Sequence, residues 1–215
     1  MTSATIIVIA KSPVAGRVKT RLCPPCTPSE AAHIAAAALA DTLAVVAETP
    51  ATARVLALDG PPGPWIPDGF VIVPQIGRGL DDRLANAFAA VTGPAILIGM
   101  DTPQVSVEQL VSAAEVLNDP QFDAVIAPAY DGGWWLIGLR RADPRVFAGV
   151  AMSTDHTCRD QRARLRTLGY RTAILEALRD VDTFADVVDV ARTVPGSRFA
   201  AAVSDLDIAR TAVAG

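Results

Sequence analysis

The residues of this chain that could do chemistry are a run of cations near its start and three aspartates further on. Lys11, Arg17, Lys19 and Arg21 crowd one short segment of a protein whose formal net charge is −4. Their ammonium and guanidinium groups suit a phosphate-bearing ligand; on a loop that merely faces water they would bind nothing. Gly16 allows close backbone approach or a positive φ, and Pro13 narrows the conformations open to the segment. Neither nucleotide fingerprint fits. Gly16-Arg17-Val18-Lys19-Thr20 lacks the earlier glycine and the Gly-Lys pair of a Walker A loop, and Gly77-Arg78-Gly79 meets Asp82 where a dinucleotide motif needs a third glycine.

Asp101, Asp131 and Asp182 each follow, or nearly follow, a segment that reads as a strand. Carboxylates close to bound phosphates repel them unless a cation intervenes, and magnesium is commonly held by one or two carboxylates together with phosphate oxygens. The set therefore points to a metal–phosphate site. Any one of these aspartates, taken alone, serves equally well as a helix cap or turn former. Asp182 has such a reading ready-made in the neighbouring Thr183 and Asp186, and Asp131-Gly132-Gly133 is also a turn signal.

Cys23, Cys26, His156 and Cys158 could supply four zinc ligands, but the second pair is only one residue apart and lacks the spacing of a structural site. A redox pair is not expected either, since the first two cysteines follow a basic loop rather than opening a thioredoxin-like helix. Free thiols in a reducing compartment are the expectation.

The elements that must position these groups alternate. The run Ile6 to Ala10 reads as a buried parallel strand that delivers the basic loop to the sheet's carboxyl edge, where open α/β sheets bind ligands. Thr27-Pro28-Ser29-Glu30 reads as a capping box opening an alanine-rich helix to about Glu48. Strands are expected at 54–58, 70–73, 95–99, 123–127, 134–139 and 171–175. Helices are expected at 80–91, from Ser106 to about Leu117, at 144–147 and 155–168, from Thr183 to Val194, and from Ser197 onward. Between the second and third strands, Gly60-Pro61-Pro62-Gly63-Pro64 forbids regular structure, and Trp65 is expected as a packing anchor. Connections too long for hairpins argue for a three-layer α/β/α sandwich around a mostly parallel sheet, in one domain spanning 1–215.

Composition agrees with a sizeable core: 51% of the 215 residues are hydrophobic. The net negative charge argues against nucleic acid or an anionic membrane as partner. No signal-peptide pattern is expected at the N-terminus, nor any apolar run near the roughly 18 residues of a membrane span, so the expected location is the cytoplasm.

Four segments together carry a family resemblance. AKSPVAGRVKTRL at 10–22, LIGMDTP at 97–103, PAYDGGWWLIGL at 128–139 and DVDTFADV at 180–187 resemble the DUF2064 family of glycosyltransferase-A-like proteins, over about 5–192. More distantly, the first and last resemble phospholactate guanylyltransferase and the molybdenum-cofactor nucleotidyltransferases. The resemblance implies a nucleotide-diphospho-sugar-transferase fold with a nucleotide under the first loop. It implies nucleotide contacts from Ala10, Lys11, Pro13, Gly16, Lys19, Arg21, Gln75 and Arg83, with Lys19 and Asp101 catalytic. Asp101 and Asp182 would hold Mg2+ or Mn2+, and Asp131, Gly132 and Gly133 would face the acceptor. The chain departs from the family pattern at Arg78-Gly79-Leu80-Asp81-Asp82-Arg83, at Met152 and at Trp134-Trp135, changes that bear on the acceptor pocket more than on the metal site.

The functional expectation is a metal-dependent transferase using a nucleotide-activated donor, with a nucleoside triphosphate and a small phosphorylated acceptor preferred. Glycosyl transfer from a nucleotide-sugar and a non-catalytic nucleotide sensor are the alternatives.

Overall fold

The computed structural model describes residues 4–206. Seven strands form one sheet in the order β3-β2-β1-β4-β6-β5-β7. They are β1 (Thr5–Lys11), β2 (Arg54–Asp59), β3 (Phe70–Pro74), β4 (Ala95–Ile98), β5 (Ala124–Pro128), β6 (Trp134–Leu139) and β7 (Thr172–Ile174). Only β6 runs antiparallel to its neighbours, which makes the mostly parallel sheet a mixed one.

The helices are α1 (Pro28–Glu48), α2 (Leu80–Ala89), α3 (Val107–Asn118), α4 (Thr157–Thr167), α5 (Phe184–Thr193) and α6 (Arg198–Ser204), with short 3₁₀ turns at Thr20–Leu22 and Pro144–Val146. Leu39 and Leu43 of α1 and Leu110 and Leu117 of α3 bury against Ile6, Val8, Leu56 and Ile96 on one face of the sheet. Leu84 and Phe88 of α2 and Leu165 of α4 bury against Ile7, Val55 and Leu97 on the other. Trp65 is partly buried against the first of these cores, as expected of an anchor. The far side of α1 adds a third apolar cluster with Leu22, Val187 and Phe199, so α5 and α6 lie outside the sandwich.

Three helices begin where capping chemistry predicts. Thr27 and Glu30, Ser106 and Gln109, and Thr183 and Asp186 each form a reciprocal capping box, a device worth roughly 0.5–2 kcal/mol per cap. Helix α4 starts two residues later than its pattern suggests, because the Cys158 N–H donates to Gly132 O and the Thr157 hydroxyl donates to Ala151 O. Its first turn is anchored to the β5–β6 turn rather than capped.

One expectation needs correcting. Helix α1 is 21 residues long and apolar enough in composition to cross a membrane. More than half of that window is buried inside this fold, which is what an alanine-rich helix sandwiched between two layers requires.

Chain order creates the crevice. From β1 the chain builds outward through β2 and β3, then returns to place β4 on β1's other side. Loops leaving β1 and β4 therefore diverge at a topological switch point, where open α/β sheets receive ligands.

Candidate active site

Strand β1 ends at Lys11, and the following loop crosses the carboxyl edge of the sheet at that switch point. Lys11, Gly16, Arg17 and Arg21 are exposed, Pro13 is half-buried, and Ala10 is buried at the strand's end. Gly16 adopts φ +76° with nothing within 4 Å of the position a Cβ would take, so its role is conformational.

Lys19 behaves differently from the other cations. Its backbone is left-handed, φ 49° and ψ 38°, a conformation that strains a non-glycine residue. This turns its side chain inward until only 7% of it is exposed. The ammonium lies 2.6 Å from Asp101 Oδ1, just beyond β4, and donates to Val181 O, on the segment between β7 and α5. That ion pair is the partner of Asp101 Oδ1, a buried oxygen that accepts no other hydrogen bond among the described residues. Arg21, 69% exposed, pairs with Asp182. The Val181 N–H donates to Asp101 O at 2.8 Å, closing the ring of contacts between the first, middle and last loops.

Thus Lys19, Arg21, Asp101 and Asp182 come together although their positions in the sequence are far apart. Asp180 joins them and was not among the sequence candidates. Its carboxyl is largely enclosed, Oδ1 has no hydrogen-bond partner, and burial, with the charges of Asp101, Asp131 and Asp182 added and Lys19 opposing, pushes it up to about 8. Asp180 and Asp182 are two residues apart, a spacing that would put both on one side of an extended segment, so the motif alone does not say which acid turns inward.

The unpartnered Asp180 Oδ1, in a crowd of carboxylates, fits a cation. Among the described residues no three side chains form a ready-made metal cage. Magnesium and manganese bound with phosphate oxygens and water do not require one.

Gln75 and Arg83 lie at the same edge of the sheet, beyond β3 and in α2. The Gln75 amide donates to Ala10 O and Ala57 O at 2.7 and 3.0 Å, tying the ends of β1 and β2 together. Arg83 donates to Asp59 Oδ2 at 2.9 Å and to Gln75 Oε1 at 3.3 Å. Both residues thus support the floor beneath the basic loop. An adjoining cavity of about 250 Å³ between β3 and α2 is lined by Val73, Ile76, Arg83 and Asn86 and contains neither Lys19 nor the acids.

Asp131, Gly132 and Gly133 make the turn from β5 into β6. Asp131 Oδ1 accepts from the Gly133 N–H at 2.7 Å. Gly132 has φ +91°, and a Cβ there would lie 1.9 Å from Asp155 O. Cys26 is buried and its thiol is pushed up to about 11, chiefly by burial, as expected of an inert cysteine; all three cysteines are free.

The profile of the DUF2064 family, described as an uncharacterized protein conserved in bacteria, matches residues 31–154. The chain belongs to the DUF2064 family. The matched span holds Asp101 and the Asp131 turn, while the basic loop and the Asp180–Asp182 segment lie outside it. No curated protein matches the sequence.

Among solved structures, a candidate nucleotide-diphospho-sugar transferase from Desulfovibrio desulfuricans G20 is 26% identical, with TM-score 0.84 and 96% of each chain covered. A CMP:2-keto-3-deoxy-manno-octonic acid synthetase complexed with CTP shares the fold at 14% identity, TM-score 0.56, over 89% of this chain and 100% of that one. Rv0371c from Mycobacterium tuberculosis H37Rv, in complex with manganese, shares it at 21% identity, TM-score 0.51, over 87% and 98%. This DUF2064 chain therefore has the nucleotide-diphospho-sugar-transferase fold.

Proposed function

We propose that this chain is a single-domain, metal-dependent transferase of the cytoplasm that moves a nucleotidyl group from a nucleoside triphosphate to a small phosphorylated acceptor. The observation that carries the reading is the convergence of Lys19 and Arg21 with Asp101, Asp180 and Asp182 at the switch point. Such a mixed cluster at a sheet's switch point suits a polyphosphate and its counter-ion, and the synthetase of the same fold cited above is complexed with CTP. Asp101, Asp180 and Asp182 would hold magnesium or manganese, which when bound neutralises phosphate charge. The manganese complex of Rv0371c supports that choice of ion.

In this reading an acceptor phosphate oxygen attacks the α-phosphorus, the bond to the β-phosphate oxygen breaks, and pyrophosphate leaves. An ionised acceptor needs no general base. Lys19 fixes Asp101 against the Val181 carbonyl and sets a buried positive charge under the reacting phosphates. The exposed Lys11, Arg17 and Arg21 take the outer phosphate oxygens, where charge builds up on the leaving group.

The name of the Desulfovibrio protein favours a second reading, glycosyl transfer from a nucleotide-sugar. There Asp131 would orient or deprotonate an acceptor hydroxyl. Pyrophosphate release, measured over nucleoside triphosphates and phosphorylated acceptors with magnesium, separates the two. Release that is abolished by Asp101→Ala supports nucleotidyl transfer; consumption of a nucleotide-sugar with no triphosphate used replaces it by glycosyl transfer. Tight nucleotide binding without turnover of either donor defeats both.

A further inference from the structure

Tyr130 is 66% exposed, although its backbone is firmly held. Its N–H donates to Leu178 O at 3.1 Å, and the preceding Ala129 pairs with Leu178, which joins the exits of β5 and β7. The Arg179 guanidinium lies 5.5 Å from the centroid of its ring. That guanidinium is itself anchored, donating to Asp186 Oδ1 at 3.0 Å, and Asp186 belongs to the capping box of α5. The ring is therefore braced on one side by a fixed cation, while most of its surface remains open.

The next residue, Asp131, follows this pairing, whose Leu178 lies two residues before Asp180 of the acid cluster. Asp131 Oδ1 is occupied by the Gly133 N–H, and Oδ2 has no donor among the described residues. A braced aromatic face beside a free carboxylate oxygen thus stands at the rim of the proposed site, on the side away from the basic loop.

We propose that Tyr130 is the stacking platform of the acceptor subsite and receives the C–H face of a polyhydroxylated ring, the body of a sugar phosphate. Asp131 Oδ2 accepts from ring hydroxyls, and Arg179 acts as a positioning residue. This rests on the transferase reading above and names its acceptor class. The negative face of an aromatic ring attracts polarised C–H groups. A second anionic group would meet a carboxylate here, because the charge of Arg179 is already answered by Asp186. A flat heteroaromatic acceptor would stack but would lack the hydroxyl donors that Asp131 can use.

Saturation-transfer NMR tests it, with magnesium and CTP or GTP present, using glucose 1-phosphate as probe and glycerol 3-phosphate as the ring-free control. Saturation is expected at the sugar C–H protons. Affinity for glucose 1-phosphate should weaken roughly three- to tenfold in Tyr130→Ala and stay close to wild type in Tyr130→Phe. Glycerol 3-phosphate binding should not respond to either change. In Arg179→Gln the acceptor KM should rise with kcat unchanged, which a fold-wide defect would not produce.

Undiminished glucose 1-phosphate binding by Tyr130→Ala overturns the platform, and so does a wild type that prefers glycerol 3-phosphate or binds neither. The nucleotide-induced thermal shift, read on the same proteins, separates the two levels. A shift that persists while the sugar response is missing sinks the platform and leaves the transferase reading. If no nucleotide shifts the wild type, the transferase reading fails and takes the platform with it.

Discussion

Lys19 and Asp101 stand 2.6 Å apart at the crossing of three loops, and the same ammonium also donates to the Val181 carbonyl. One largely buried charge thus links segments that follow β1, β4 and β7. Removing it should strand an acidic oxygen that has no hydrogen bond of its own.

Lys19→Met should therefore destabilise the protein by about 1–3 kcal/mol, less than a fully buried pair would lose because Asp101 is 41% exposed. Asp101→Asn should relieve part of that loss. A urea-denaturation cycle over the two single variants and the double variant is expected to give a coupling on the order of 1 kcal/mol. Additive effects would show that the pair is incidental.

Arg21→Ala should behave in the opposite way. Its side chain is 69% exposed, so its pairing with Asp182 adds at most about 1 kcal/mol to stability. If it contacts phosphate, triphosphate KM should rise about tenfold or more while the melting temperature barely moves. Steady-state kinetics beside a thermal melt checks both halves.

Asp180→Asn keeps the shape of the side chain and removes the cost of holding an acid, pushed up to about 8, in a crowded, largely buried position. Without divalent ion at neutral pH the variant should melt higher than wild type. Addition of magnesium with nucleotide should stabilise wild type and leave the variant nearly unmoved. Equal metal responses would remove Asp180 from the ion site.

Glycines 16 and 132 should separate conformation from space. Gly16→Ala meets only the penalty of a positive φ, about 1 kcal/mol. Gly132→Ala adds a collision with the Asp155 carbonyl and should cost well above 2 kcal/mol. Chemical denaturation of the two variants gives the ranking directly.

Acid should loosen the far corner of the sheet. The Arg145 guanidinium beside Asp143 holds its carboxyl at about 2, helped by the Tyr170 hydroxyl at 3.0 Å. An unfolded Asp titrates near about 3.9. Because the folded value is depressed, this stabilisation is complete above about pH 4 and is lost as pH falls toward about 2, amounting to roughly 1–2 kcal/mol. Urea midpoints measured across that window should fall less steeply for Asp143→Asn than for wild type.

Local chemistry made much of this fold legible. Thr27 with Glu30, Ser106 with Gln109 and Thr183 with Asp186 mark helix starts because a cap needs only a hydroxyl and an acceptor three residues on. The buried strands were equally plain, since runs such as Ala95 to Ile98 have no polar face to offer. Less visible was whatever depends on direction in space. The left-handed turn at Lys19 decides that this cation, alone among the four of its loop, goes inward, and a lysine is not a residue whose type announces a positive φ. The choice between Asp180 and Asp182 depends on how the segment after β7 crosses the sheet edge. The hydrogen-bond partners of Gln75 and Arg83 are carbonyls and a carboxylate at the ends of β1 and β2, which no sequence spacing ties to them. Helix α1 shows the converse problem, because an alanine-rich helix buried on two sides has the composition of a membrane span.

Strand β6 runs backward between β4 and β5, and two strand spacings, about 10 Å, therefore separate the exits that deliver Asp101 and Asp131. The groove this leaves is divided by construction. Its one bank is shaped by the loop after β1 and its other by the turn after β5, so mutations that remodel one bank can accumulate without disturbing the grip of the other.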